Sequence, residues 1–233
     1  WRNGFRNELF SKVLGLTGRI IANRIGAPFE GYPEVAGGIA RVPGVRTAMP
    51  LIEGQVMVSS ATQATGALVR GVTESGLRWL PLVADNIQFG TLDGFGEQRD
   101  IAIGTRLASS LGVTIGDSIT LVSPRGAQTP FGTAPRTKPY KIAALFEMGM
   151  AEYDRTMIFM PLAEAQRYFS RGQEVDALEV VVDNPGNIDD ALLAVKAAGG
   201  STVHVSDWRR RNETFFTVLE VERIVMFRAL IHL

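Results

Sequence analysis

Two histidines, His204 and His232, and no cysteine are available for acid–base, nucleophilic or metal chemistry in 233 residues. A histidine base needs a nucleophile within reach and a third group to orient it. His204 lies in Thr202-Val-His-Val205, a strand-like alternation without such partners, and reads as a solvent-facing or hydrogen-bonded strand residue. The other candidates are carboxylates. Asp93, Glu97 and Asp100 surround the turn Gly94-Phe-Gly96 and would have to converge to act as general acid and base. Acidic residues beside glycine turns are usually solvated loop residues. No helix follows that turn to hold a phosphate, and H-E-x-x-H, G-x-x-x-x-G-K-[ST] and G-x-S-x-G do not occur. The expectation is a protein that is not an enzyme, with no catalytic residues, no cofactor and no metal.

A second pattern is suited to binding. Ser123–Pro139 (SPRGAQTPFGTAPRTKP) holds four prolines, two glycines, three basic residues and one large apolar residue, Phe131. On either side, period-two segments read as strands, with Ile119 and Leu121 on one face before it and Tyr140, Ile142, Ala144 and Phe146 after it. Hairpins normally turn in about 2–5 residues, and much longer connections are usually functional or disordered. The pattern predicts a long, stiffened arm with a phenylalanine near its tip.

The elements that must carry this arm are legible around it. Gly18–Ile25 reads as a strand, Pro33 opens a short helix through Ala40, and Ala48–Ser59 and Ala67–Val72 read as strands. Ile101–Gly104 is a short buried strand, after which Thr105 can N-cap a helix over Leu107, Ala108 and Leu111, closed by Gly112–Gly116. Thr156–Met160 is a further buried strand, and Pro161 starts a helix with Leu162, Ala165 and Phe169 on one face. Leu178–Val182 is a strand, Asn184-Pro-Gly a turn, Ile188–Ala198 a helix ended by Gly199-Gly200, and Thr202–Val205 a strand. Strands and helices mixed in this order predict an α+β fold of two subdomains, one inserted in the middle of the other.

Lys plus Arg equals Asp plus Glu at 24 each, so nothing in the charge balance points to nucleic acid. No apolar run reaches the ~18 residues of a membrane span. Both ends nevertheless carry apolar residues at helical spacing: Phe5, Leu9, Phe10, Val13 and Leu14 at one, Phe215 to Leu230 at the other. They read either as terminal helices docked on the core or as stubs of membrane helices.

Several stretches together resemble a known family. Val42-Pro-Gly-Val-Arg-Thr-Ala-Met-Pro50, Gly66-Ala-Leu-Val-Arg-Gly-Val72, Ile103-Gly-Thr-Arg-Leu-Ala-Ser-Ser-Leu-Gly-Val-Thr-Ile-Gly-Asp117 and Met160-Pro-Leu-Ala-Glu-Ala-Gln166 are similar to the periplasmic core of the MacB-type ABC transporter superfamily. Asn3-Gly-Phe-Arg-Asn-Glu-Leu9 and Asp207-Trp208 with Arg211–Phe227 resemble permease subunits of the lipoprotein-releasing (Lol) transporter, of LolC/LolE type. The resemblance implies a MacB-like periplasmic core with a discontinuous Porter subdomain (16–88 and 172–208), an inserted Sabre subdomain (89–171) and a protruding β-hairpin hook (124–137). Residues 1–15 and 209–233 would be juxtamembrane helices. Those over 1–15 and 209–227 would lie side by side, burying Phe10, Phe216 and Leu219 between them.

The implied function is that of an inner-membrane permease in a Gram-negative bacterium, the chain itself lying in the periplasm. It would extract lipoproteins and pass them to a carrier chaperone (LolA type). Implied partners are a second permease subunit or a copy of itself, a cytoplasmic ATPase subunit (LolD type) that hydrolyses the ATP, and lipoprotein substrates, with no nucleic acid. The hook would recruit the chaperone through Thr129, Pro130, Phe131, Gly132 and Pro135, with Arg136 and Lys138 as a second contact at its base. Thr120 stands where the family has a cation. A related efflux or cell-division mechanotransmission permease is the alternative, distinguished by the hook.

Overall fold

A computed structural model describes residues 18–123, 128–183 and 185–207. The expected terminal helices lie outside the described residues. The chain runs β1 (Arg19–Arg24), α1 (Tyr32–Ala40), β2 (Val45–Ser59), β3 (Ala64–Val72), α2 (Glu74–Arg78), α3 (Pro81–Ala84), β4 (Ile87–Gly90) and β5 (Ile101–Gly104). It continues through α4 (Thr105–Leu111), β6 (Ser118–Ser123), β7 (Gln128–Thr129), β8 (Gly132–Thr133), β9 (Arg136–Phe146), α5 (Ala151–Thr156) and β10 (Met157–Pro161). The last elements are α6 (Leu162–Tyr168), β11 (Ala177–Val182), a 3₁₀ turn (Pro185–Asn187), α7 (Ile188–Gly199) and β12 (Val203–Asp207). The expected α+β class holds.

Two compact units form. The first takes the described residues up to Ile25, Val35–Ala48 and those from Glu179 onward; the second takes Gly26–Glu34 and Met49–Leu178. In the first, β1 pairs antiparallel with β12, from Ile20 opposite Asp207 to Arg24 opposite Val203. Ile20, Ile21, Val180, Val195 and Val203 are buried there, while His204 faces solvent as its alternation predicted. Arg19 and Glu179 pair at 2.8 Å and are both nearly fully buried.

In the second unit the strand pairings return on themselves. β2 pairs with β3, β3 with β10, β10 with β5, β5 with β9, β9 with β6, and β6 again with β2. The contacts β3–β10 and β5–β9 are parallel and the others in the ring antiparallel. β4 adds to β9 beyond the end of β6. Parallel pairs need long crossovers, and each here encloses a helix: α4 between β5 and β9, and several elements between β3 and β10. The core is aliphatic and aromatic, including Leu51, Ile52, Ile101, Leu121, Ile142, Phe146 and Phe159.

Local expectations need three corrections. Thr105 is not the cap of α4. Gly104 is, in an extended conformation without a side-chain cap bond, while the Thr105 hydroxyl is buried and makes no hydrogen bond. A Cβ on Gly104 would fall 2.0 Å from the Asp154 carbonyl oxygen, so close backbone approach demands glycine there. Thr156 closes α5 rather than opening the strand, its hydroxyl donating to the Glu152 carbonyl at 2.6 Å. Pro161 ends β10, paired with Val72, and caps α6 instead of lying in its first turn.

Candidate functional site

The expected arm is a β-hairpin rooted in the strand ring. β6 and β9 pair antiparallel from Ser118 opposite Lys141 to Ser123 opposite Arg136. Alternation sets their faces, burying Ile119, Leu121 and Ser123 on one strand and Tyr140, Ile142 and Ala144 on the other. Pro139 falls in the part of β9 that precedes its pairing with β5 at Ile142, where a missing N–H is tolerated.

Beyond this ladder, β7 and β8 pair Gln128 with Thr133 and Thr129 with Gly132. Only Pro130 and Phe131 remain between the strands, making a tight turn. Proline at the first central position presets φ. Gly132 has φ +115°, a conformation that L side chains rarely adopt, and a Cβ there would meet nothing within 4 Å. Glycine is thus required by the backbone and not by crowding. Phe131 is 100% exposed, and Pro130, Gly132 and Pro135 are exposed beside it. An exposed phenyl ring at a constrained turn offers binding area with little backbone freedom to lose.

Arg136 and Lys138 do not extend freely from the hairpin. Both reach α6. The Lys138 ammonium pairs with Glu164 Oε1, which also accepts from the Tyr140 hydroxyl at 2.7 Å. Arg167 Nε lies 3.8 Å from Glu164 Oε2, and the Lys138 ammonium sits 5.6 Å from the Tyr140 ring centroid. The Arg136 guanidinium donates to the Tyr168 carbonyl oxygen, and the Tyr168 hydroxyl returns a bond to the Arg136 carbonyl at 3.2 Å. Tyr140 and Tyr168 meet edge to face at 5.9 Å. Burial pushes the Tyr168 phenol up to about 12. Burial, reinforced by Glu164, also raises the Tyr140 phenol well above the ordinary range. Both tyrosines therefore remain neutral donors. Thr120 lies opposite Pro139 on the neighbouring strand.

Two glycines seat α6. A Cβ on Gly71 of β3 would lie 2.3 Å from Ala165 Cβ, and one on Gly54 of β2 would lie 2.3 Å from the Phe169 ring. The helix accordingly buries Glu164, Ala165 and Tyr168 with Leu162, while Phe169 caps its end half-buried. Sequence reading placed Leu162, Ala165 and Phe169 on one face and missed Glu164, Tyr140 and Tyr168 as root residues. The available signal was a carboxylate four residues before a tyrosine on the same helical face.

The carboxylates of the enzyme alternative are Asp93, Glu97 and Asp100. Asp93 is exposed and bonded to Arg78 at 3.3 Å, and Glu97 is also exposed.

The chain belongs to the MacB-like periplasmic core domain family, which it matches over residues 2–198. It is 26% identical over 228 residues to the lipoprotein-releasing system transmembrane protein LolC of Neisseria meningitidis serogroup B, covering 97% of this chain and 55% of that protein. With LolC of Xylella fastidiosa (strain Temecula1) identity is 28% over 227 residues, covering 96% and 54%. The chain thus spans about half the length of these curated relatives. Its fold is similar to the periplasmic region of MacB from Actinobacillus actinomycetemcomitans, with TM-score 0.56, 8% identity and coverage of 90% and 97%. It is also similar to the extracellular domain of the ABC-type transporter YknZ from Gram-positive bacteria, with TM-score 0.55, 15% identity and coverage of 81% and 99%.

Proposed function

We propose that the chain is the periplasmic domain of a Lol-type permease that extracts lipoproteins from the inner membrane and hands them to a periplasmic carrier chaperone. The hairpin recruits the chaperone. The observation that carries this reading is the complete exposure of Phe131 at a turn whose neighbours, Pro130 and Gly132, fix the backbone. Similarity to LolC proteins over nearly the whole chain supports the transporter class. ATP hydrolysis belongs to a separate cytoplasmic subunit, and a second permease copy or subunit completes the complex. The Porter (16–88, 172–208) and Sabre (89–171) division is carried with this reading.

In this mechanism Phe131 enters an apolar site on the carrier, with Thr129, Pro130, Gly132 and Pro135 presenting it. The prolines restrict the free arm and so lower the entropy lost on docking. Arg136 and Lys138 form a second contact at the base. Their existing bonds to α6 do not exhaust them, because an ammonium has three donors and a guanidinium five.

Burying a phenylalanine contributes about 1.5–3 kcal/mol, so Phe131→Ala is expected to weaken carrier binding about 10–100-fold. Calorimetric titration with the carrier from the same bacterium tests this. Affinity unchanged both by that substitution and by deletion of 125–136 would refute recruitment by the hairpin. Discovery of an ATPase fused to the same polypeptide would favour an efflux-type relative instead.

A further inference from the structure

We infer that Glu164 is a positioning residue that holds the hairpin at a set angle to the strand ring; this rests on the proposed role of the hairpin. Glu164 is 1% exposed on α6, yet three side chains converge on its carboxylate: Lys138 and Tyr140 from β9, and Arg167 from its own helix. Lys138 and Tyr140 flank the base of the hairpin, two and four residues beyond the Ser123–Arg136 pair that ends the β6–β9 ladder. Arg136, in that last pair, is bonded to the end of the same helix. α6 is itself seated at close approach on Gly71 and Gly54. The chain of contacts therefore runs from the ring, through α6 and Glu164, to the outer end of the β6–β9 ladder.

An isolated two-stranded hairpin is marginal in water, and a ladder alone leaves a ribbon free to bend and twist. A buried carboxylate accepting bonds from alternate residues of one strand removes that freedom at the root. Charge-assisted bonds to buried groups are the strong ones, and a carboxylate is costly to bury unless it is paired. The arrangement is accordingly expected to be either made or broken, with little between. A preset tip loses less freedom when the carrier docks.

The chain has no cysteine, so a two-label experiment is direct. Ala134, beside the tip, and Ala163, on α6, are both exposed and accept nitroxide labels as cysteine variants. Pulsed electron–electron distance measurements are expected to show a narrow 134–163 distribution that broadens in Glu164→Gln. Affinity for the carrier should fall about 3–10-fold in that variant, the scale of ordering one or two side chains. A distribution of unchanged width and centre overturns the inference, whatever happens to affinity. If Glu164→Gln fails to fold, Tyr140→Phe carries the same test with the same two outcomes. Phe131→Ala, run alongside, should weaken the carrier without moving the distances. If it leaves affinity intact, recruitment by Phe131 fails while the distance result still decides the role of Glu164.

Discussion

Replacing Asp154 by alanine should be among the more damaging single changes in the second unit. The carboxylate is 1% exposed and accepts three backbone N–H bonds, from Met148 at 2.6 Å and from Gly149 and Met150 at 3.1 Å each. It lies in α5, whose N-cap, Met150, has no side chain able to cap. Asp154 reaches back one turn and supplies the missing acceptor, much as the acidic member of a capping box does. Met148 and Met150 are buried, so alanine would leave two donors without water, whereas Gly149 is exposed and can be rehydrated. Each orphaned buried donor costs about 1–3 kcal/mol, giving a loss of about 2–6 kcal/mol. For a chain of this size that lowers the melting temperature by roughly 5–20 °C. Asp154→Asn keeps one carbonyl oxygen and should lose about half as much. Urea unfolding followed by circular dichroism measures both through the midpoint at constant slope. A loss below about 1 kcal/mol in Asp154→Ala would show that the loop finds other acceptors and refute the reasoning.

Arg19→Met should destabilise the first unit by about 3–5 kcal/mol, because Glu179 is left as a buried charge without its guanidinium; Arg19→Met with Glu179→Leu should recover most of the loss by removing both desolvation costs. Urea midpoints of the two variants decide it, and equal losses would contradict the argument. Alkaline stability depends on Tyr168, whose phenol titrates near 12 in the folded chain against 10.0 ordinarily. The folded state then holds a proton that the unfolded chain has lost, so this contribution is full below about pH 10 and disappears as pH rises through about 12. Tyr168→Phe should flatten the fall of the urea midpoint between about pH 9.5 and 11.5; an unchanged slope would rule out Tyr168 as a cause.

The strands that carry the hairpin were legible because each buries one face, and alternation survives translation from sequence to sheet. Ile119, Leu121, Tyr140, Ile142 and Ala144 occupy the buried positions their spacing requires. The tip was legible for a different reason. Proline and glycine act through the backbone alone, so Pro130 and Gly132 announce a turn without reference to the rest of the chain. The root was not legible, because its bonds join residues far apart in sequence. Lys138 and Glu164 are separated by 26 positions, and each alone looks like a solvated surface charge. The buried face of α6 was legible in Leu162, Ala165 and Phe169, but not that it also takes in Glu164 and Tyr168 or rests on Gly54 and Gly71 in two other strands. Neither α5 nor β4 has an apolar stripe of its own. One exists through the reach of Asp154 and the other through pairing with β9.

Exposure by itself does not single out Phe131. Ile25, Phe89 and Leu193 are also large, apolar and exposed among the described residues, and scattered exposed apolar residues are normal. Phe89 shows the contrast. It stands on β4, a strand paired with β9, where its position follows from the ladder and needs no other cause. The backbone at Phe131 is arranged by residues that contribute nothing to the core: a proline that fixes the turn, a glycine at φ +115° and a prolyl residue at 135 beyond it. Below it, two cations and two tyrosines are spent in fastening the base to α6. Constraint at both ends of an arm whose apolar tip stays exposed is the physical support for the proposed docking.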